Sequence, residues 1–112
     1  MLPAATRILV CTTPQDMRFG FDRLAQIVRE VLGDEPQNGA LYVFVGRGAT
    51  RVKILWWDRN GYCLLYKRLH KALFALPRDA PKVGEAMQID AAALGELLAG
   101  VERPTPVSRG LH

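Results

Sequence analysis

At 112 residues the chain is long enough for one hydrophobic core and too short for two. Apolar residues make up 49% and charged residues 23%, which excludes an intrinsically disordered chain. The formal net charge of +4 favours anionic partners: nucleic acid, an acidic protein face or an acidic membrane surface.

The two cysteines, Cys11 and Cys63, lie in apolar, strand-like runs without CxxC spacing. They read as buried free thiols and offer neither a disulfide framework nor a zinc site. His70 and His112 are too few and too far apart to complete one, so no metal or cofactor is expected. Met1 to Val10 lacks the apolar core of a signal peptide, and no run approaches the roughly 18 apolar residues of a membrane span. A cytoplasmic location is the expectation.

In chain order, Arg7 to Cys11 is a short apolar run that predicts a buried strand, stopped by Thr12, Thr13 and Pro14. Asp16 is placed to cap a first helical turn. Phe21, Leu24, Val28, Val31 and Leu32 recur at the spacing of one helical stripe, and Gly33 predicts the C-terminal stop. After a polar loop over residues 34–39 come three strand-like runs, Leu41 to Val45, Arg51 to Trp57 and Tyr62 to Leu69. Short Gly- and Asn-rich breaks separate them, which predicts an antiparallel three-stranded meander. Pro77 and Pro81 give residues 71–83 loop or edge character. Met87 to Ile89 reads as one more short strand, and Ala91 to Ala99 as a helix capped by Asp90 and ended by Gly100. The expected fold is therefore α+β: an antiparallel sheet of four to five strands, one helix on its apolar face and a short C-terminal helix. One domain is expected over residues 1–102, with a loose tail over 103–112.

Asn60-Gly61 is a preferred pair for a two-residue hairpin loop. With that loop, Arg59 pairs with Tyr62, Trp57 with Leu64, Leu55 with Tyr66, Lys53 with Arg68 and Arg51 with His70. Alternation then gives one face to Val52, Ile54, Trp56, Cys63, Leu65 and Leu69, expected to pack on the first helix. The other face carries Arg51, Lys53, Trp57, Arg59, Tyr62, Tyr66, Arg68 and His70, with Tyr42 and Phe44 beside them. Cations meet phosphates and flat rings stack on bases, so these eight residues form the candidate nucleic-acid surface. Arg and aromatic residues equally suit a protein-docking face or an ordinary exposed sheet.

Other motifs carry less. Gly46-Arg47-Gly48 lacks the Lys-Ser/Thr ending of a phosphate-binding loop and joins two strands, so it reads as a hairpin turn. Asp16, Asp22 and Asp58 are scattered carboxylates better placed as helix-start and turn residues than as metal ligands. No nucleophile–base constellation is present, and no enzyme is expected.

Asp16-Met17-Arg18, Phe21-Asp22-Arg23-Leu24-Ala25, Leu41-Tyr42-Val43-Phe44 and the block from Arg51 through Leu69, with Lys53-Ile54-Leu55-Trp56-Trp57-Asp58 and Tyr66-Lys67-Arg68-Leu69, carry a resemblance. They resemble the TnpB accessory-protein family of bacterial insertion sequences of the sixty-six type, distinct from the RNA-guided nuclease of the same name. The resemblance implies a non-catalytic protein encoded beside a DDE transposase and serving transposition. It supplies no catalytic residues. Taken with the basic aromatic face, the expected partners are DNA at transposon ends, the cognate transposase, or both. The alternative is a module docking on the transposase through Tyr42, Phe44, Trp57 and Tyr66 without touching DNA. Gly46-Arg47-Gly48-Ala49 departs from the Asn-Arg-Arg-like turn of the family, and His70-Lys71-Ala72-Leu73-Phe74 from its Glu-x-Gly-x-Phe run.

Overall fold

A computed structural model describes residues 2–4, 7–77 and 80–102. The expected tail over 103–112 lies outside the described residues. In chain order the elements are β1 (Ile8–Cys11), α1 (Phe21–Glu30), β2 (Leu41–Val45), β3 (Arg51–Asp58), β4 (Gly61–Arg68), β5 (Ala72–Leu73), β6 (Lys82–Val83), β7 (Ala86–Ile89), α2 (Ala91–Ala99) and β8 (Val101–Glu102).

The main sheet runs β4-β3-β2-β1-β7-β6: five strands of four or more residues and the two-residue β6. β2, β3 and β4 form the expected antiparallel meander. β1 enters the middle of the sheet parallel to β2, so β1-α1-β2 is a crossover unit, while β7 pairs antiparallel on the other side of β1. β5 and β8 make a separate two-stranded ribbon. All residues of β1 and β2 are buried, as a central strand covered on both faces requires.

Both sheet faces are packed. Val10, Val43, Val52 and Ile54 meet Phe74 and the α2 residues Leu94 and Leu97 on one side. Cys11, Tyr42, Phe44 and Leu55 meet Leu24 and Val28 of α1 on the other. The expectation that α1 covers the Val52, Ile54, Trp56 face is therefore reversed: α2 and Phe74 cover that face, and α1 lies over the face of Lys53 and Leu55. Phe21 and Val31, expected in the buried stripe of α1, stand 46% and 38% exposed; Ala25 and Ile27 are buried instead. Asp16 does not cap α1, whose N-cap is Gly20 without a side-chain bond.

The α2 boundaries follow the sequence signals. The Asp90 carboxylate accepts from the Ala93 N–H at 2.8 Å, satisfying one orphan donor of the first turn. Gly100 closes the helix at φ +77°, and a β-carbon there would lie 2.6 Å from Leu69 Cδ1, so glycine is required for both conformation and space.

A polar lock fixes the loop before β2. The buried Tyr42 hydroxyl donates to Asp34 Oδ2 at 2.9 Å, and Arg7 Nη2 donates to the same oxygen at 2.9 Å. Burial opposes the charge on Asp34, but the Glu35 N–H, the Tyr42 hydroxyl and Arg7 together hold its pKa below the usual carboxylate value. A depressed folded-state pKa stabilises the fold fully above about pH 4, and that contribution fades as pH falls through the folded value. Asp34→Asn is thus expected to lower stability at neutral pH and to flatten the loss of stability between about pH 5 and pH 2.5. Urea unfolding midpoints across that range check it; parallel profiles for the two proteins would show that Asp34 titrates as it does in the unfolded chain.

Candidate nucleic-acid interface

The β3–β4 hairpin turns one position earlier than Asn60-Gly61 predicts. Its loop is Arg59-Asn60, with Asp58 opposite Gly61 and Arg59 at φ +58°. The pairs are Trp57 with Tyr62, Leu55 with Leu64, Lys53 with Tyr66 and Arg51 with Arg68. Relative to the predicted register β4 is displaced by two residues. An even displacement keeps every side chain on its predicted face, so the grouping by face stands while the partners change. The displacement moves the apposed cations from the middle of the ribbon to its wet end. Lys53 gains the Tyr66 ring, with its ammonium 4.8 Å from the centroid, and the like-charge pair becomes Arg51 and Arg68, both exposed.

The predicted surface does not stay whole. Lys53 is only 7% exposed, and its Nζ donates to the Phe19 carbonyl oxygen at 2.8 Å, tying β3 to the chain just before α1. Tyr42 and Phe44 have no exposure at all. Tyr62 is half-buried at the edge of the α1 core; its ring meets Trp57 edge-on at 4.9 Å and its hydroxyl accepts from Arg29 at 3.4 Å. Trp57, Arg59 and Tyr62 occupy the hairpin-tip end of the ribbon. Arg51 and Arg68 occupy the other, about 20 Å away at roughly 3.3 Å per residue, with Tyr66 toward them, about 13 Å from Tyr62. His70 follows β4 on that second end and is exposed. The eight candidates therefore divide into a tip group, a buried lysine, and an exposed cluster of Arg51, Tyr66 and Arg68 with His70 beyond it.

Around that cluster the structure adds residues the alternation pattern does not reach. Arg51, Tyr66 and Arg68 line a shallow cavity of about 290 Å³. Arg51 also borders a larger cleft of about 470 Å³, shared by Gln15, Asp16 and Met17 on one wall and Gly46, Arg47 and Thr50 on the other. The Asp16-Met17-Arg18 motif builds the first wall. Asp16 Oδ1 accepts from the Arg18 backbone N–H at 2.9 Å, and its Oδ2 accepts from Arg18 Nη2 at 2.6 Å. This Arg18 pairing lowers the Asp16 pKa to about 2. Met17 then lies against Gly46, where a β-carbon would stand 2.7 Å from Met17 Cγ; glycine is what lets the loop reach the β2–β3 turn. The Gln15 N–H closes the contact on the Val45 carbonyl at 3.0 Å. The signal for this cleft in the sequence is the motif itself, but nothing in its spacing places it against residues 46–51.

The ion pairs among the described residues join Arg7 to Asp34, Arg18 to Asp16, Arg23 to Glu30 and Arg29 to Glu35. Arg47, Arg51 and Arg68 have no carboxylate partner among the described residues, and all three are exposed. Cys11 and Cys63 are free; Cys11 is buried as expected, with burial raising its pKa, and Cys63 is half-buried. Among the described residues no three His, Cys, Asp or Glu side chains gather as metal ligands, and no helix is long and apolar enough to cross a membrane.

Fold and surface thus define a small α+β protein with an arginine end that has no carboxylate partner among the described residues. The chain belongs to the family described as IS66 Orf2 like protein, which matches residues 6–107 and makes it an insertion-sequence-associated accessory protein. It is similar to Uncharacterized protein y4hO of Sinorhizobium fredii, at 39% identity over 117 residues covering 96% of this chain and 99% of the relative. It is also similar to Uncharacterized protein y4jC of the same organism, at 30% identity covering 91% of this chain and 93% of the relative. None of these similarities indicates a catalytic family. No solved structure gives a significant match.

Proposed function

We propose that this protein serves insertion-sequence transposition without catalysing it, by holding the phosphodiester backbone of DNA along Arg47, Arg51 and Arg68, with Tyr66 as the ring available to a base or sugar. The observation that carries this reading is the Arg51–Arg68 cross-strand pair. Two like charges directly opposite each other cost stability, and neither has a carboxylate to relieve it among the described residues. A phosphate between them relieves both. Guanidinium groups suit that task because their planar forks match phosphate oxygens. Lys53 supports the surface from beneath rather than contacting the ligand, and the Trp57, Arg59 and Tyr62 group is too distant to share one phosphate with it.

The docking alternative, in which aromatic residues meet the transposase without DNA, loses Tyr42 and Phe44 to the core. Tyr66, at 51% exposure, and the half-buried Trp57 are left for it, at opposite ends of the ribbon.

The test is a salt titration of binding to duplex DNA carrying an insertion-sequence end, beside a duplex of unrelated sequence. Each phosphate contact removed should lower the slope of log affinity against log salt by about 0.7–0.9. Arg51→Gln and Arg68→Gln are expected to do so singly and additively, with unfolding midpoints no lower than that of the wild type, since either change relieves the cross-strand repulsion. Salt-independent binding, or wild-type slopes in the double variant, would overturn the reading.

A further inference from the structure

β4 is the outermost strand on one side of the sheet, eight residues long, without proline or bulge. The opposite edge ends in the two-residue β6, the short edge that natural sheets use to discourage pairing. The direction of the free backbone groups follows from two flanking bonds. Gly46 N–H donates to the Arg51 carbonyl at 2.9 Å in the β2–β3 ladder, so odd residues of β3 bond toward β2 and even residues toward β4. Leu69 N–H donates to the Thr50 carbonyl at 2.7 Å, continuing the β3–β4 ladder with the same phase. Odd residues of β4 therefore bond to β3. Tyr62, Leu64, Tyr66 and Arg68 point their N–H and C=O groups away from the sheet, and nothing among the described residues bonds to them.

We infer that a second copy of this chain pairs with this edge, β4 against β4, antiparallel about a two-fold axis at Leu65. Outward groups can bond only to outward groups, so even residues must face even residues. Centring on Leu65 sets Tyr62 opposite Arg68 and Leu64 opposite Tyr66, twice by symmetry, and uses every outward group of the strand. Centring one residue away leaves Arg68 or Tyr62 without a partner inside the strand. Charge selects the same arrangement. Lys67 and Arg68 lie together at one end of β4, so parallel alignment in register would stack cation on cation. The antiparallel pair sends them to opposite ends, Arg68 against Tyr62 of the second copy and Lys67 against its Cys63, where an arginine meets an aromatic ring. The self-complementary pattern fits a second copy, by strand addition at an open edge. A two-fold axis normal to the sheet keeps both α1 helices on one side. The two Arg68 positions then share a face, about 20 Å apart along the strands at roughly 3.4 Å per residue. The inference is independent of DNA binding.

Sedimentation equilibrium of the full chain without DNA tests it. The expected result is a concentration-dependent rise to twice the mass of one chain. Leu64→Pro removes an outward N–H while leaving the β3 ladder intact, and should return the mass to that of one chain. Should that variant fail to fold, cysteine cross-linking in a Cys63→Ser background decides. Leu65→Cys faces itself across the axis as a non-hydrogen-bonded pair, near enough for a disulfide, and should form a linked dimer under oxidised glutathione. Leu64→Cys should not, because it faces Tyr66. A single-chain mass at every concentration, or equal cross-linking at both positions, would overturn the inference.

Discussion

Lys53→Glu is expected to unfold the protein, or bring it close to unfolding, rather than merely to weaken a surface contact. The lysine ammonium sits 2.8 Å from the Phe19 carbonyl oxygen and over the Tyr66 ring at 4.8 Å, with 7% of the residue exposed. Both partners present electron density: an oxygen lone pair and the negative face of an aromatic quadrupole. A carboxylate in that position meets two acceptors and no donor. Leaving a buried charge uncompensated costs about 3–5 kcal/mol, against a total stability of about 5–15 kcal/mol for a domain. Lys53→Met keeps the apolar stem and removes only the donor, so it should cost about 1–3 kcal/mol through the Phe19 carbonyl left unsatisfied. The order of urea midpoints, wild type above Lys53→Met above Lys53→Glu, checks this. A Lys53→Glu protein as stable as wild type would mean that the ammonium stands in water. The distinction matters for binding experiments, because loss of DNA affinity in a Lys53 variant would report lost structure.

Alternation along β3 and β4 makes much of the site legible. Arg51, Lys53, Leu55 and Trp57 share a face with Tyr62, Leu64, Tyr66 and Arg68, as period two requires. It does not say which face a helix covers. That depends on β1 lying parallel to β2, because a parallel crossover has one preferred hand in a twisted sheet, and the hand decides which side receives α1. A four-residue run such as Ile8–Cys11 carries no mark of its neighbour. The hairpin register shows the same limit. Asn60-Gly61 is a local preference, and the ladder that places Tyr66 rather than Arg68 opposite Lys53 outweighs it. Helix α2 was fully legible because its signals are local: Asp90 bonds within the first turn, and Gly100 takes a positive φ at the stop. The cleft between the Asp16–Arg18 loop and the β2–β3 turn was not, since its two walls are about 30 residues apart in sequence and meet through Met17 against Gly46 and the Gln15 N–H on the Val45 carbonyl.

Phe44→Ala should be strongly damaging, and it separates core from surface within one predicted group. Phe44 lies opposite Lys53 on β2, has no solvent exposure and belongs to the core beneath α1 with Leu24, Val28 and Leu55. Truncation removes the transfer free energy of the ring and leaves a cavity between sheet and helix, about 3–5 kcal/mol together. Tyr66 belongs to the same face but lies past the cover of the helix, 51% exposed. Tyr66→Ala loses little more than the contact with the Lys53 ammonium, about 0.5–1 kcal/mol. Unfolding midpoints should therefore fall steeply for Phe44→Ala and little for Tyr66→Ala, while DNA affinity measured on folded protein falls for Tyr66→Ala, by about 1–3 kcal/mol if the ring stacks on a base. Equal stability losses at the two positions would place Phe44 on an open surface, and the docking role for Tyr42 and Phe44 would then regain its footing. The opposite outcome assigns them to the interface of sheet and helix, and leaves the arginine end with Tyr66 as the exposed part of this face on which a binding test must bear.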